Sequence, residues 1–153
     1  MNGKGVNASA PQPDNQTRTY PLAITVEDRI YPSFAVEMLR VSRGQKSYIV
    51  KTSEIGIQEV AVKGVDPIVT QPDGTAYIRF NNSFETIEYT GADSIPDLAG
   101  KMVIVGVTAE GIANPVPTPR GNLYPQEIQA HMLQNLSLIH ISEPTRLGMI
   151  SYA

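Results

Sequence analysis

The apolar run Met102-Val103-Ile104-Val105, entered through Gly100-Lys101 and left through Gly106-Val107, is the longest uninterrupted one in the chain. It does not alternate with polar residues. A strand with one wet face alternates, so a run that does not predicts a strand over 102–107 that is covered on both faces. Such a run is far too short for the ~20 apolar residues of a membrane-spanning helix. Burying its large side chains contributes roughly 1.5–3 kcal/mol each, and the rest of the chain is read as what covers it.

Two segments supply helices. Tyr31-Pro32-Ser33 opens the first, with proline in the first turn, where its missing N–H costs nothing. Phe34, Ala35, Met38, Leu39 and Ser42 share one face; Glu37, Arg40 and Arg43 lie off it, and Gly44 stands where a left-handed cap ends a helix. The second helix starts at Pro125 and carries Ile128, Met132, Leu133 and Leu136 on one face. Between residues 47 and 89 the period falls from 3.6 to two. Short β-branched or aromatic runs at 48–51, 55–62, 67–69, 76–80 and 86–89 are separated by the turn signals Lys63-Gly64, Pro72-Asp73-Gly74 and Asn81-Asn82. Residues 20–26 form a further strand, 92–98 a short helical connection capped by Asp93-Ser94, and 108–122 a loop stiffened by Pro115, Pro117 and Pro119. These features predict an α/β or α+β domain with a mixed sheet, its buried central strand (102–107) flanked by two amphipathic helices.

Composition narrows the function. Of 153 residues, 12 are Lys or Arg and 15 Asp or Glu, a net charge of −3, and the basic residues are scattered along the sequence, so nucleic acid is not an expected partner. With no cysteine and only His131 and His140, no metal site, cofactor site or catalytic triad is expected. The carboxylates Glu54, Glu59, Glu85, Glu88, Asp93 and Asp97 are spread over different elements and read as solvated faces rather than a catalytic pair. Enzymatic activity is not expected of the chain.

Candidate ligand contacts come from the loops after the apolar strand, because ligands of open α/β sheets sit beyond the carboxyl ends of strands. Thr108 and Glu110 lie in the first of these loops. Asn114, Thr118 and Asn122 offer uncharged donors and acceptors in the proline-stiffened segment. In both places a purely structural role, as a packed turn or a cover over the sheet, is the simpler account. His131 lies just off the apolar stripe of the second helix and reads as a helix-surface or interface residue. An unperturbed pKa near 6.5 also allows it a pH-sensing role.

The passage from Gly100-Lys-Met-Val-Ile-Val-Gly-Val-Thr-Ala, through Thr118-Pro-Arg-Gly, to Glu127-Ile128-Gln-Ala130 resembles the closing segment of the CHASE domain of the second type. His131 stands where that family usually has Asn. Gly5-Val6-Asn7, Pro13-Asp14, Arg18, Pro21-Leu22 and Tyr31-Pro32-Ser33-Phe-Ala are similar to the family's earlier motifs and follow in the same order. The resemblance covers residues 5–136. It implies a periplasmic, ligand-input domain of a homodimeric bacterial membrane receptor, whose output is most often a nucleotide cyclase and otherwise a histidine kinase. The ligand is an unspecified small molecule or protein. Ile128, Met132, Leu133 and Leu136 would then belong to the helix that transmits the signal. The alternative is a soluble interaction or assembly module without signalling output.

Two departures from the family matter. Its upstream α/β half, with a membrane span and a Trp-Pro-x-Arg stretch, has no counterpart here, so residues 1–136 are expected to be the C-terminal portion of an incomplete domain, tied to the membrane through flanking helices of the parent. Beyond Leu136, where the family enters the membrane, residues 137–153 look like the translated read-through of a sequencing adapter. Glu143-Pro144 breaks any helix there, and the segment is expected to be a non-native tail.

Overall fold

The computed structural model of the chain describes residues 2–7, 12–80, 83–91, 95–138 and 147–152. The expected turn at Asn81-Asn82 and the expected caps at Asp93-Ser94 lie outside the described residues. The remainder of the expected helical connection, 95–98, is not helical.

The first sheet strand splits in two. β1 (Thr19–Pro21) pairs antiparallel with β7 (Thr75–Tyr77), and β2 (Ala23–Val26) forms a hairpin with β3 (Arg29–Pro32). The break falls at Leu22, whose N–H donates to Gly74 O at 2.8 Å. Gly74 has φ 82°, and a Cβ there would run into the carbonyl oxygen of Ala23. The Pro72-Asp73-Gly74 signal therefore marks a turn that only glycine can close against its neighbour.

Ser33 caps α1 (Phe34–Ser42), its hydroxyl accepting from Val36 N at 3.4 Å. The helix thus begins one residue after the serine, and Pro32 ends β3 instead of occupying the first helical turn. Gly44, at φ 64°, closes the helix as expected, its N–H donating to Val41 O. Of the three charged residues off the apolar face of α1, Arg43 is exposed but Glu37 and Arg40 are covered. Glu37 and Arg40 are both buried and form a two-pronged ion pair at 2.7 Å, with Arg40 also reaching the carbonyl of Gln45. The N-terminal strip makes the difference. Val6 bridges in parallel to Ser33, and Gly3 lies against the Glu37 carboxylate. Helical periodicity shows which side of a helix is apolar but not what another segment lays over the polar side.

β4 (Tyr48–Ser53), β5 (Gly56–Val62) and β6 (Ile68–Val69) make an antiparallel meander, with Ile57, Val60 and Val62 of β5 in the core. β8 (Glu85–Glu88) and β9 (Met102–Val107) belong to a parallel sheet whose middle strand is β12 (Leu147–Tyr152). β10 (Val116–Thr118) and β11 (Gly121–Leu123) form a hairpin inside the segment expected to be loop. α2 (Pro125–Leu138) completes the chain's crossover from β9 to β12. It lies against β9 and β12, with α1 and β5 beyond it in the order α2, α1, β5. The architecture is α+β, with two helices among the described residues and several small sheets that are mostly antiparallel.

One expectation about β9 needs correction. It is not a central strand buried on both faces. β12 holds the middle of the sheet, β9 lies at its edge, and along β9 only Ile104 is buried while Val105 is 68% exposed and Val107 40% exposed. α2 covers one face and leaves the other open. An unbroken apolar run permits double coverage without requiring it.

β12 lies within residues 137–153, and α2 ends at Leu138, two residues past the expected boundary at Leu136. Strands in a sheet stand about 4.8 Å apart, so β8 and β9 leave a slot one strand wide between them. Main-chain pairing is indifferent to side-chain identity, and an extended segment of sufficient length meets the slot's hydrogen-bonding needs.

The β2–β3 turn carries a cost. Glu27 (φ 48°) and Asp28 (φ 61°) both stand in the left-handed region that two-residue hairpin turns require. Glutamate is poorly suited there, and each non-glycine residue so placed costs roughly 1–2 kcal/mol. Replacing the pair with Asn-Gly (Glu27→Asn, Asp28→Gly) is expected to raise unfolding free energy by about 1 kcal/mol. Urea denaturation of the two chains checks this, and an unchanged or lower midpoint would contradict the turn assignment.

Candidate ligand cleft over a buried helix

α2 is covered on nearly all sides. Ile128, Gln129, Ala130, His131, Met132 and Leu133 are consecutive and every one is buried, as are Gln126 and Leu136. The four residues expected on the transmitting face, Ile128, Met132, Leu133 and Leu136, are each 2% exposed or less. Gly106 permits the close approach at the N-terminal end, since a Cβ there would collide with the Gln126 side chain. At the helix start the Glu127 carboxylate accepts from Tyr124 N at 2.7 Å, a cap reaching back over the first turn.

His131 is not a surface residue. It sits between Phe80 and Phe84, edge to face, with ring centroids 5.2 and 4.7 Å away. Its Nδ1 is buried without a hydrogen-bond partner among the described residues. Burial, and then the nearby Arg120 guanidinium, push its pKa down to about 4. The ring is therefore neutral at neutral pH, which removes the expected basis for sensing pH near 6.5.

Next to this aromatic sandwich lies an open cleft of about 480 Å³ lined by Arg18, Tyr77, Arg79, Phe80, Pro119 and Arg120, with Ile78 at its floor. Main-chain bonds stitch its walls together. Ile78 N donates to Arg18 O at 2.8 Å, and Thr17 N donates to Pro117 O at 2.8 Å. Arg120 Nη1 reaches Phe80 O at 3.3 Å. Arg18 is held by Gln12 at 2.9 Å and by Asp14 at 2.6 Å, and the bond to Arg18 holds the Asp14 carboxyl below its ordinary pKa.

The cleft is tied to α2 from below. With its carboxamide turned so that both bonds form, Asn135 accepts from Arg79 N at 2.7 Å and donates to Arg79 O at 3.2 Å. Phe80, the next residue, is one of the two rings that meet His131.

None of the five ligand contacts expected from sequence lines this cleft. Thr108 is half-buried, and its carbonyl accepts from Tyr124 Oη at 3.4 Å. Glu110 and Asn114 are exposed in the segment between β9 and β10. Thr118 is buried and spends its hydroxyl on the hairpin turn, donating to Gly121 O at 2.6 Å and accepting from Arg120 N at 3.3 Å. Asn122 is exposed on β11, opposite Pro117. The three arginines of the cleft are far apart in the chain, so no local pattern joins them. The one available signal was that Arg18 and Arg120 fall inside the very motifs that carry the family resemblance.

Among the described residues no group of His, Asp and Glu is placed to hold a metal ion, and no helix is long and apolar enough to cross a membrane. The cleft wall is hydrogen-bonded to the buried helix α2 through Asn135. A family model described as the CHASE2 domain matches residues 2–151, and the chain belongs to that family, whose members are extracellular sensory domains of signalling receptors. No curated protein and no solved structure matches the chain.

The depressed pKa of His131 has a consequence for stability. As pH falls from about 6.5 towards 4, the unfolded chain binds a proton that the folded chain refuses, so the unfolded state gains. Stability present in full above about pH 6.5 is therefore lost on the way down to about 4. His131→Asn, which puts a non-titrating residue at the position, should show a shallower fall in denaturation midpoint over that window than the parent chain. Parallel pH profiles for the two would contradict a buried neutral His131.

Proposed function

We propose that this chain is the ligand-input part of an extracytoplasmic receptor domain in a bacterial inner membrane, non-catalytic in itself and coupled to a nucleotide cyclase, or failing that a histidine kinase. The observation that carries the sensory reading is the joining of the cleft to α2 through Asn135 and the Arg79 main chain. The cyclase comes from the family resemblance of the sequence, as does a homodimeric receptor. Signalling requires only that ligand favour one of two arrangements, typically by 1–3 kcal/mol of coupling.

α2 is the natural transmitter because His131 and Asn135 on it meet Phe80 and the Arg79 main chain in the cleft wall. Its fully buried residues are poor places to test this, since Leu133→Ala alone costs about 2–5 kcal/mol. Asn135 is better, being only half-buried. In the membrane-bound parent, cyclic nucleotide production from nucleoside triphosphate should be measurable, and protease added outside spheroplasts should digest this domain. Asn135→Ala should change basal output about two-fold or more while leaving the amount of receptor in the membrane unchanged. A domain protected from external protease, or a parent with neither cyclase nor kinase activity, would overturn the proposal.

A further inference from the structure

We propose that the cleft between residues 77–80 and the β10–β11 hairpin binds a small organic anion, its carboxylate or phosphate gripped by Arg79 and Arg120 beside Arg18 and its body resting on Tyr77. Three arginines line one cleft, Arg18 of them paired to Asp14, in a chain whose net charge is −3. Like charges gathered in one place repel, and a fold that needed them only for solubility would spread them over its surface. Arg79 is exposed, and its side chain has no ion-pair partner among the described residues. Its main chain is nonetheless fixed at both N–H and C=O by Asn135. Arg120 is steadied by the Phe80 carbonyl and Arg18 by Asp14 and Gln12. The Arg18 and Arg120 side chains and the Arg79 main chain are therefore held before a ligand arrives, which lowers the ordering cost of binding.

The chemistry of the lining selects the ligand class. A guanidinium fork matches the paired oxygens of a carboxylate or phosphate. A volume of about 480 Å³ falls within the ~300–1,000 Å³ of ordinary small-molecule sites and is far larger than an inorganic ion needs. Tyr77, 66% exposed at the rim, offers a flat apolar face for the remainder of the molecule. Anion binding here does not depend on the receptor reading; only its relay through Arg79 and Asn135 to α2 rests on that reading.

Isothermal titration of the full chain with phenyl phosphate and with benzoate, and with benzyl alcohol as the uncharged control, tests the site. Saturable binding of at least one anion is expected, absent for the alcohol and weakening as salt is raised. Arg79→Gln should weaken it about ten-fold, with the circular dichroism spectrum of the parent retained because the side chain is exposed. Arg120→Gln provides a second, independent loss. No saturable binding of either anion, or binding undiminished in both variants, would overturn the proposal. So would binding only to phosphatidylglycerol vesicles, which would make the arginines a membrane-facing patch. Binding that is lost in the variants while the parent receptor's output ignores both anions would uphold the anion site and remove the sensory reading instead.

Discussion

The burial of α2 is the constraint on which the other features depend. A helix at the surface of a domain keeps one polar side in water, and its neighbours need to match only the other. Here the six consecutive residues from Ile128 to Leu133 are all covered, so α1, β9, β12 and the segment carrying Phe80 and Phe84 must each fit a different side of the same helix. Gly106 exists in this light as a clearance for Gln126. The Glu37–Arg40 pair and the N-terminal strip over it complete the far side of α1, which packs on α2 in turn. A close-packed interior transmits displacement because it has no slack to absorb it.

Polar groups inside this packing are costly unless paired, and the two that α2 turns towards the cleft are treated differently. Asn135 satisfies both the donor and the acceptor of the Arg79 main chain. His131 is held by ring contacts with its Nδ1 unpaired, and it stays neutral because charging it there is more expensive still. One residue thus fixes the floor of the cleft by hydrogen bonding and the other by shape. A ligand that pulls on Arg79 or displaces Phe80 meets α2 directly, with no intervening loop.

Much of the fold was legible in the sequence. The strands of the β4–β6 meander fall on runs read from period-two patterning, α1 starts and ends beside Ser33 and Gly44, and the apolar positions Ile128, Met132, Leu133 and Leu136 all reach the core. What the sequence did not reveal depends on tertiary neighbours. Gln129 and His131 are polar by type and buried by circumstance. Val105 and Val107 are apolar by type and exposed because α2 covers only the opposite face of β9. The cleft was hidden for a related reason, since Arg18, Arg79 and Arg120 come from three separate segments and meet only once β1, β7 and the β10–β11 hairpin are assembled. Thr118, a plausible ligand contact by chemistry, turns out to be consumed by its own hairpin.

The central claim is that the cleft floor and α2 form one mechanical unit, and amide hydrogen exchange at Arg79 tests it most directly. Its N–H is bonded to a side chain rather than to a strand, so its protection reports that one link. The account predicts an Arg79 amide protected to nearly the level of the Leu133 amide, and Asn135→Ala accelerating exchange at Arg79 about ten-fold or more while Leu133 stays protected. An Arg79 amide that exchanges as fast as those of exposed loops in the parent chain, or one indifferent to the loss of Asn135, would contradict it.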